Sequence, residues 1–264
     1  MPIELKNVSF AYQGKYLANE NLNLLINDGE RVAIVGQNGA GKTTAVKLMN
    51  GLNKPTEGDV FIDGVNTKDK TTAQIAKTVG YVFQNPDDQI FNQTVISEIE
   101  YMPRYFKLEE KEVRRRVDRA VELTDIKKYL KKNPFDIPYS IRKFVAIAAV
   151  LATEPKYVIL DEPTAGQDRW GTHILETMIE TLGGEGVGVI TITHDMEFVA
   201  NNFKRVIAMA HKNIIADGTA EEIFWNEDVV AESRIKKPQI GQVAKALGLP
   251  GQILFSDELV KAVP

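Results

Sequence analysis

The sequence predicts an α/β fold with a helical insertion. Short apolar runs bounded by glycine and polar turns open the chain, a charge-rich helical stretch runs from about Thr94 to Thr153, and strands then alternate with helices again. In the first segment Ile3, Leu5, Val8 and Phe10 nearly alternate, as do Leu22, Leu24 and Ile26, and Asn27-Asp28-Gly29 supplies a turn. Arg31 to Val35 is a short apolar run that ends in the glycine-rich Gly36 to Gly41. Val46, Leu48 and Met49 recur at helical spacing until Gly51 and Pro55 stop them, and Asp59 to Asp63 and Val79 to Phe83 are further strands. In the insertion, Val113, Val117, Ala120 and Val121 line one helix face, and Pro134 and Pro138 break the chain before a second, apolar helix. Tyr157 to Leu160, Val187 to Ile192 and Arg205 to Met209 read as strands. Trp170, Ile174, Met178 and Leu182 read as the apolar face of a helix ended by Gly183-Gly184, and a tail follows Gly218.

Composition excludes several classes. With 264 residues, 44% hydrophobic and 26% charged, the chain has material for a real core and is not wholly disordered. A net charge of −4 gives no reason to expect a nucleic-acid partner. The absence of cysteine excludes disulfides, thiolate nucleophiles and Cys-based metal sites. The N-terminus Met1 to Lys6 lacks the apolar core of a signal peptide, and the longest apolar run, Phe144 to Ala152, is far short of the roughly 20 residues a spanning helix needs. The expectation is a cytosolic chain that reaches a membrane only through partners.

Gly36-Gln37-Asn38-Gly39-Ala40-Gly41-Lys42-Thr43 fits G-x-x-x-x-G-K-[ST], between a predicted strand and a predicted helix. The chemistry requires those residue types. Backbone N–H groups must converge on a β-phosphate, side chains at the glycine positions would obstruct the approach, and the helix N-terminus aims its positive end at the same anion. Lys42 can bridge β- and γ-phosphates, and the Thr43 hydroxyl can ligate Mg²⁺. Chance would produce the bare pattern in a chain of this length roughly one time in a hundred. About 120 residues downstream, the apolar strand Tyr157 to Leu160 delivers Asp161 and Glu162, the first suited to Mg²⁺ and the second to polarising an attacking water.

These motifs, with Gln84 after Tyr81-Val82-Phe83, Pro163-Thr164 after the carboxylates, Ala165-Gly166-Gln167-Asp168, and Thr193-His194-Asp195 about 30 residues after Glu162, resemble the ATPase subunits of ABC transporters over nearly the whole chain. The resemblance implies a P-loop NTPase core of ABC type over 1–220. It adds an antiparallel β subdomain, a helical subdomain inserted at about 89–155, and a C-terminal helical extension over 221–264. It implies ATP and Mg²⁺ as cofactors, with Gly36 through Thr43 and Thr44 around the phosphates and Tyr12 stacked on adenine. Thr43, Gln84 and Asp161 would serve the metal, Glu162 and His194 catalysis, and the loop 165–168 would cross to the opposite protomer.

A narrower likeness lies in Phe83-Gln84-Asn85-Pro86-Asp87-Asp88-Gln89-Ile90-Phe91 and in the tail from Lys236 through Ala262, which resemble the energy-coupling-factor ATPases that power import of vitamins and transition-metal ions. That resemblance implies a peripheral subunit on the cytoplasmic face of the membrane. Its partners would be a second ATPase joined through the extension, a transmembrane coupling subunit and a substrate-binding membrane subunit. ATPases of other ABC importers are the near alternative. Soluble ABC proteins are the remoter one, since about 95 residues between Lys42 and Pro138 leave no room for a long coiled-coil insertion.

One segment departs from the family pattern. The signature Leu-Ser-Gly-Gly-Gln should precede Val145-Ala146-Ile147-Ala148, and Ile137-Pro138-Tyr139-Ser140-Ile141 stands there instead. Pro138 has neither hydroxyl nor N–H, and Tyr139 adds bulk where glycine allows approach. Because the family places each ATP between one protomer's cradle and the other's signature, this defect favours a heterodimer with a paralogue. Arg114-Arg115-Arg116, Arg119, Lys127, Lys128, Lys131 and Lys132 are interleaved with acids and read as a solvated face, and His173 and His211 read as surface residues.

Overall fold

The structure is a computed structural model describing residues 2–263; Met1 and the last residue of the predicted extension, Pro264, lie outside the described residues. Its strands are β1 (Ile3–Tyr12), β2 (Tyr16–Ile26), β3 (Arg31–Val35), β4 (Glu57–Ile62), β5 (Val65–Asn66), β6 (Val79–Val82), β7 (Tyr157–Asp161), β8 (Gly188–Ile192), β9 (Arg205–Ala210) and β10 (Asn213–Thr219). Its helices are α1 (Lys42–Met49), α2 (Thr72–Ile75), α3 (Val95–Tyr105), α4 (Glu110–Thr124), α5 (Tyr139–Leu151), α6 (Arg169–Gly184), α7 (Met196–Asn202), α8 (Ala220–Phe224), α9 (Glu227–Ser233), α10 (Gln239–Ala246) and α11 (Ser256–Ala262).

Two sheets form. The order β2-β1-β4-β5 is antiparallel throughout. The second sheet, β10-β9-β3-β8-β7-β6, is parallel except for the antiparallel edge pair β9–β10. Strands β6, β7 and β8 are buried at every position, as parallel strands covered on both faces must be. Alternation along them divides the core. Val32, Ile34 and Ile159 face the antiparallel sheet and α1, whereas Ala33, Val35, Val158 and Leu160 face the layer that holds α4, α5 and α6. The run Phe144 to Ala152 is therefore a core helix, buried along its length.

Two sequence expectations need correction. The buried stripe of α6 is Leu175, Met178, Ile179 and Leu182; Trp170 is 63% exposed and Ile174 only partly covered. The helix begins at Arg169, so Trp170 sits in the first turn, beyond the sheet that buries the later turns. Strand β10 carries no alternation to announce it, because at the sheet edge its residues are intermediate to exposed. The basic residues of α4 are solvated and paired with acids: Arg114 with Glu110, Arg115 and Arg116 with Glu112 and Glu154. His173 and His211 are exposed.

Candidate active site

The carboxyl ends of β3, β7 and β8 open onto one cleft of about 630 Å³. Tyr12, Asn38, Gly39, Gly41, Lys42, Thr43, Thr44, Gln84, Asp161, Glu162 and His194 all line it, so residues up to 182 positions apart are brought together by the strand order. Gly36, Gln37 and Ala40 stand behind that wall. Gly36 and Gln37 offer their carbonyls to the Lys42 ammonium at 2.6 and 3.0 Å, and Ala40 is buried.

The glycine-rich loop has the conformation its composition requires. Gly36, Gly39 and Gly41 have φ of 143°, 80° and 98°, and a Cβ at Gly36 would overlap the Met209 carbonyl. Gly41 also receives the Asn19 amide on its carbonyl at 3.2 Å, which fixes the loop against β2. Helix α1 opens directly after it with no side-chain cap, leaving first-turn N–H groups for an anion. Tyr12, 41% exposed, is held by its hydroxyl to Thr44 Oγ1 at 3.2 Å and edge-on to Phe10, with its ring on the cleft.

Asp161 ends β7. Its Oδ2 accepts from the Tyr81 hydroxyl at 2.6 Å, while Oδ1 is buried with no protein partner among the described residues. An orphaned carboxylate oxygen in a cleft also lined by the Thr43 hydroxyl and the Gln84 amide is a donor set suited to a hard divalent cation, so these residues fit Mg²⁺. Burial, reinforced by the Asp161 charge, pushes the Tyr81 phenol well above its ordinary range, so it remains a donor.

Glu162 is 8% exposed and has φ +51°, a left-handed conformation for a residue with a side chain. Its N–H donates to Ile192 of β8 at 2.8 Å, and Oε2 accepts the His194 N–H at 3.3 Å. Burial pushes the Glu162 carboxyl up, and the Asp161 charge adds to this; the His194 N–H, Lys42 and Lys143 oppose it. Burial, then Lys42, holds the His194 imidazole below its ordinary value, so it is neutral near pH 7. Its Nε2 lies 2.9 Å from Asn38 Oδ1 and 3.4 Å from Glu162 Oε1. A raised carboxylate beside a neutral imidazole can take a proton from a water without forming a competing ion pair.

Sequence reasoning missed Tyr81, Asn19 and Lys143. The signal for Lys143 is a cation, beside Arg142, at the head of an apolar helical run; Asn19 and Tyr81 give none, because their partners are distant in sequence.

The ABC transporter family pattern matches residues 19–165, more than half of the chain. The chain belongs to the ABC transporter ATPase family. As an ABC ATPase it binds ATP and couples hydrolysis to transport. A Pyrococcus furiosus protein provisionally named an ABC transporter ATP-binding protein is 40% identical over 99% of both chains. The energy-coupling factor transporter ATP-binding protein EcfA2 of Clostridium perfringens is 39% identical, over 94% of this chain and 90% of that one. Among solved structures, CbiO1 of Clostridium perfringens, part of the ABC transporter complex CbiONQ, superposes with TM-score 0.79 at 30% identity, covering 94% of this ABC ATPase and 98% of that chain. The segment expected to carry the signature lies at the start of α5, where Pro138 is the N-cap residue and provides no side-chain cap.

Proposed function

We propose that this ABC ATPase energises uptake of a micronutrient, a vitamin or a transition-metal ion, from the cytoplasmic face of the membrane. The observation that carries the reading is the likeness to an energy-coupling-factor ATPase and to CbiO1, which runs through the C-terminal tail and not only the nucleotide core. Among the described residues no helix is long and apolar enough to cross a membrane, so a membrane subunit must carry the substrate. An apolar cleft of about 270 Å³ lined by Leu52, Phe83, Phe91, Tyr101 and Met102, next to Gln84, suits a helical segment of that subunit.

In this reading the glycine-rich loop, Lys42 and the α1 N-terminus hold the phosphates, and Tyr12 packs on the base. Thr43, Gln84 and Asp161 hold Mg²⁺, which when bound neutralises phosphate charge. Glu162 accepts the proton of the attacking water, and His194, steadied by Asn38, meets the γ-phosphate. The extension 221–264, whose Val243, Leu247 and Val260 are exposed, joins the second ATPase.

Co-purification from detergent-solubilised membranes should recover a second ATPase and two kinds of membrane subunit with this chain. In that complex, with the partner's own site silenced, Glu162→Gln should retain ATP while single-turnover hydrolysis falls by about two to four orders of magnitude. Recovery of a soluble ribosomal or DNA-processing assembly instead would overturn the transport reading.

A further inference from the structure

Lys143 lies in the second turn of α5, 3% exposed, and its ammonium donates to the Glu162 carbonyl at 2.6 Å. Burying an ammonium is costly even though the Glu162 and Asp161 charges favour it, and the carbonyl it reaches is already approached by the Ala165 N–H at 3.3 Å. Satisfaction of a polar group therefore does not account for the residue. What Lys143 adds is a fixed peptide plane. The Glu162 N–H is pinned to Ile192 at 2.8 Å and the carbonyl to Lys143, so both peptides flanking the Glu162 Cα are held and the left-handed φ of +51° is over-determined.

The rest of the α5 start leans on the same loop. The Gln167 amide donates to the Ser140 carbonyl at 3.0 Å, and the Tyr139 ring lies beside Gly166 and 6.0 Å from the Lys143 ammonium. The segment that departs from the family signature is thus tied, within its own chain, to residues 162–167.

We propose that Lys143 is a positioning residue that holds Glu162 in its left-handed conformation and aims its carboxylate at the nucleotide cleft. The inference rests on Glu162 handling the attacking water. A group displaced by about 1 Å can cost on the order of a hundredfold in rate without altering ground-state binding. Lys143 would therefore act on the chemical step and leave ATP affinity alone.

The test uses the co-purified complex with the partner's site silenced, comparing Lys143→Met, Lys143→Arg and Glu162→Gln by single-turnover hydrolysis, ATP binding and unfolding midpoint. Lys143→Met should lose about ten- to a hundredfold in rate with Kd for Mg·ATP within about twofold, and Lys143→Arg, which keeps a cationic donor, should recover most of the loss. If Lys143→Met does not fold, Lys143→Leu, which also lacks a donor, carries the same comparison of rate with affinity. Parental hydrolysis by the Met or Leu variant while Glu162→Gln is inactive overturns the inference alone. So does a loss confined to Kd, or an arginine variant that folds but is as slow as the methionine one. Parental hydrolysis by Glu162→Gln overturns the reading of Glu162, and the inference with it.

Discussion

Lys42 holds the carbonyls of Gly36 and Gln37 while facing Asp161 and Glu162, so one cation ties the loop shape to the charge balance of the cleft. Burial pushes its ammonium down, and the Glu162 and Asp161 charges oppose that shift. Lys42→Ala should therefore weaken ATP binding by about one to two orders of magnitude, as expected for loss of a charge-assisted hydrogen bond. Calorimetric titration with Mg·ATP checks this, and an unchanged Kd would remove the phosphate assignment. At Asp161, one oxygen accepts the Tyr81 hydroxyl and the other is buried with no protein partner among the described residues.

Helices α6 and α7 each start on an aspartate from a motif loop. Asp168 accepts from the Gly171 N–H at 2.8 Å and Asp195 from the Phe198 N–H at 3.0 Å, so these motif-loop residues act as helix caps. The face that α6 buries decides its contribution to stability. Leu175→Ala should destabilise by about 2–5 kcal/mol, the cost of a core cavity, whereas Trp170→Ala should stay within about 0.5 kcal/mol. Denaturant midpoints of the two variants test the helix face directly. Equal effects would mean that Trp170 is covered in solution.

For the whole molecule, the proposed dimer places Pro138 and Tyr139 against the ATP held by the partner protomer. Backbone donors of this kind are valued at roughly 3 kcal/mol, on the order of a hundredfold in rate. A homodimer would carry the defect at both sites, and a heterodimer with an intact paralogue at one. The isolated chain should therefore hydrolyse ATP slowly, and mixing with its co-purifying ATPase should restore turnover that depends on Glu162. Pro138→Ser together with Tyr139→Gly should raise single-turnover hydrolysis at the partner's site. Brisk hydrolysis by the isolated chain, unchanged by those substitutions, would defeat the asymmetric reading.

The phosphate loop, the Asp161-Glu162 strand end and the α/β order can be read from the residues alone, because each is a local pattern: glycines where φ must be positive, and unbroken apolar runs where a parallel strand is buried on both faces. Gln84 and His194 came from the resemblance to the family's motifs, and the fold brings both to the same cleft. The edge strand β10 and the buried face of α6 were not legible in the sequence, because what covers an element depends on neighbours far along the chain. Nor could any spacing show that Tyr81 reaches Asp161, that Asn19 reaches Gly41, or that Lys143 reaches back to Glu162. Those contacts exist only once β6, β2 and α5 are packed beside the sequence motifs, and packing decided them.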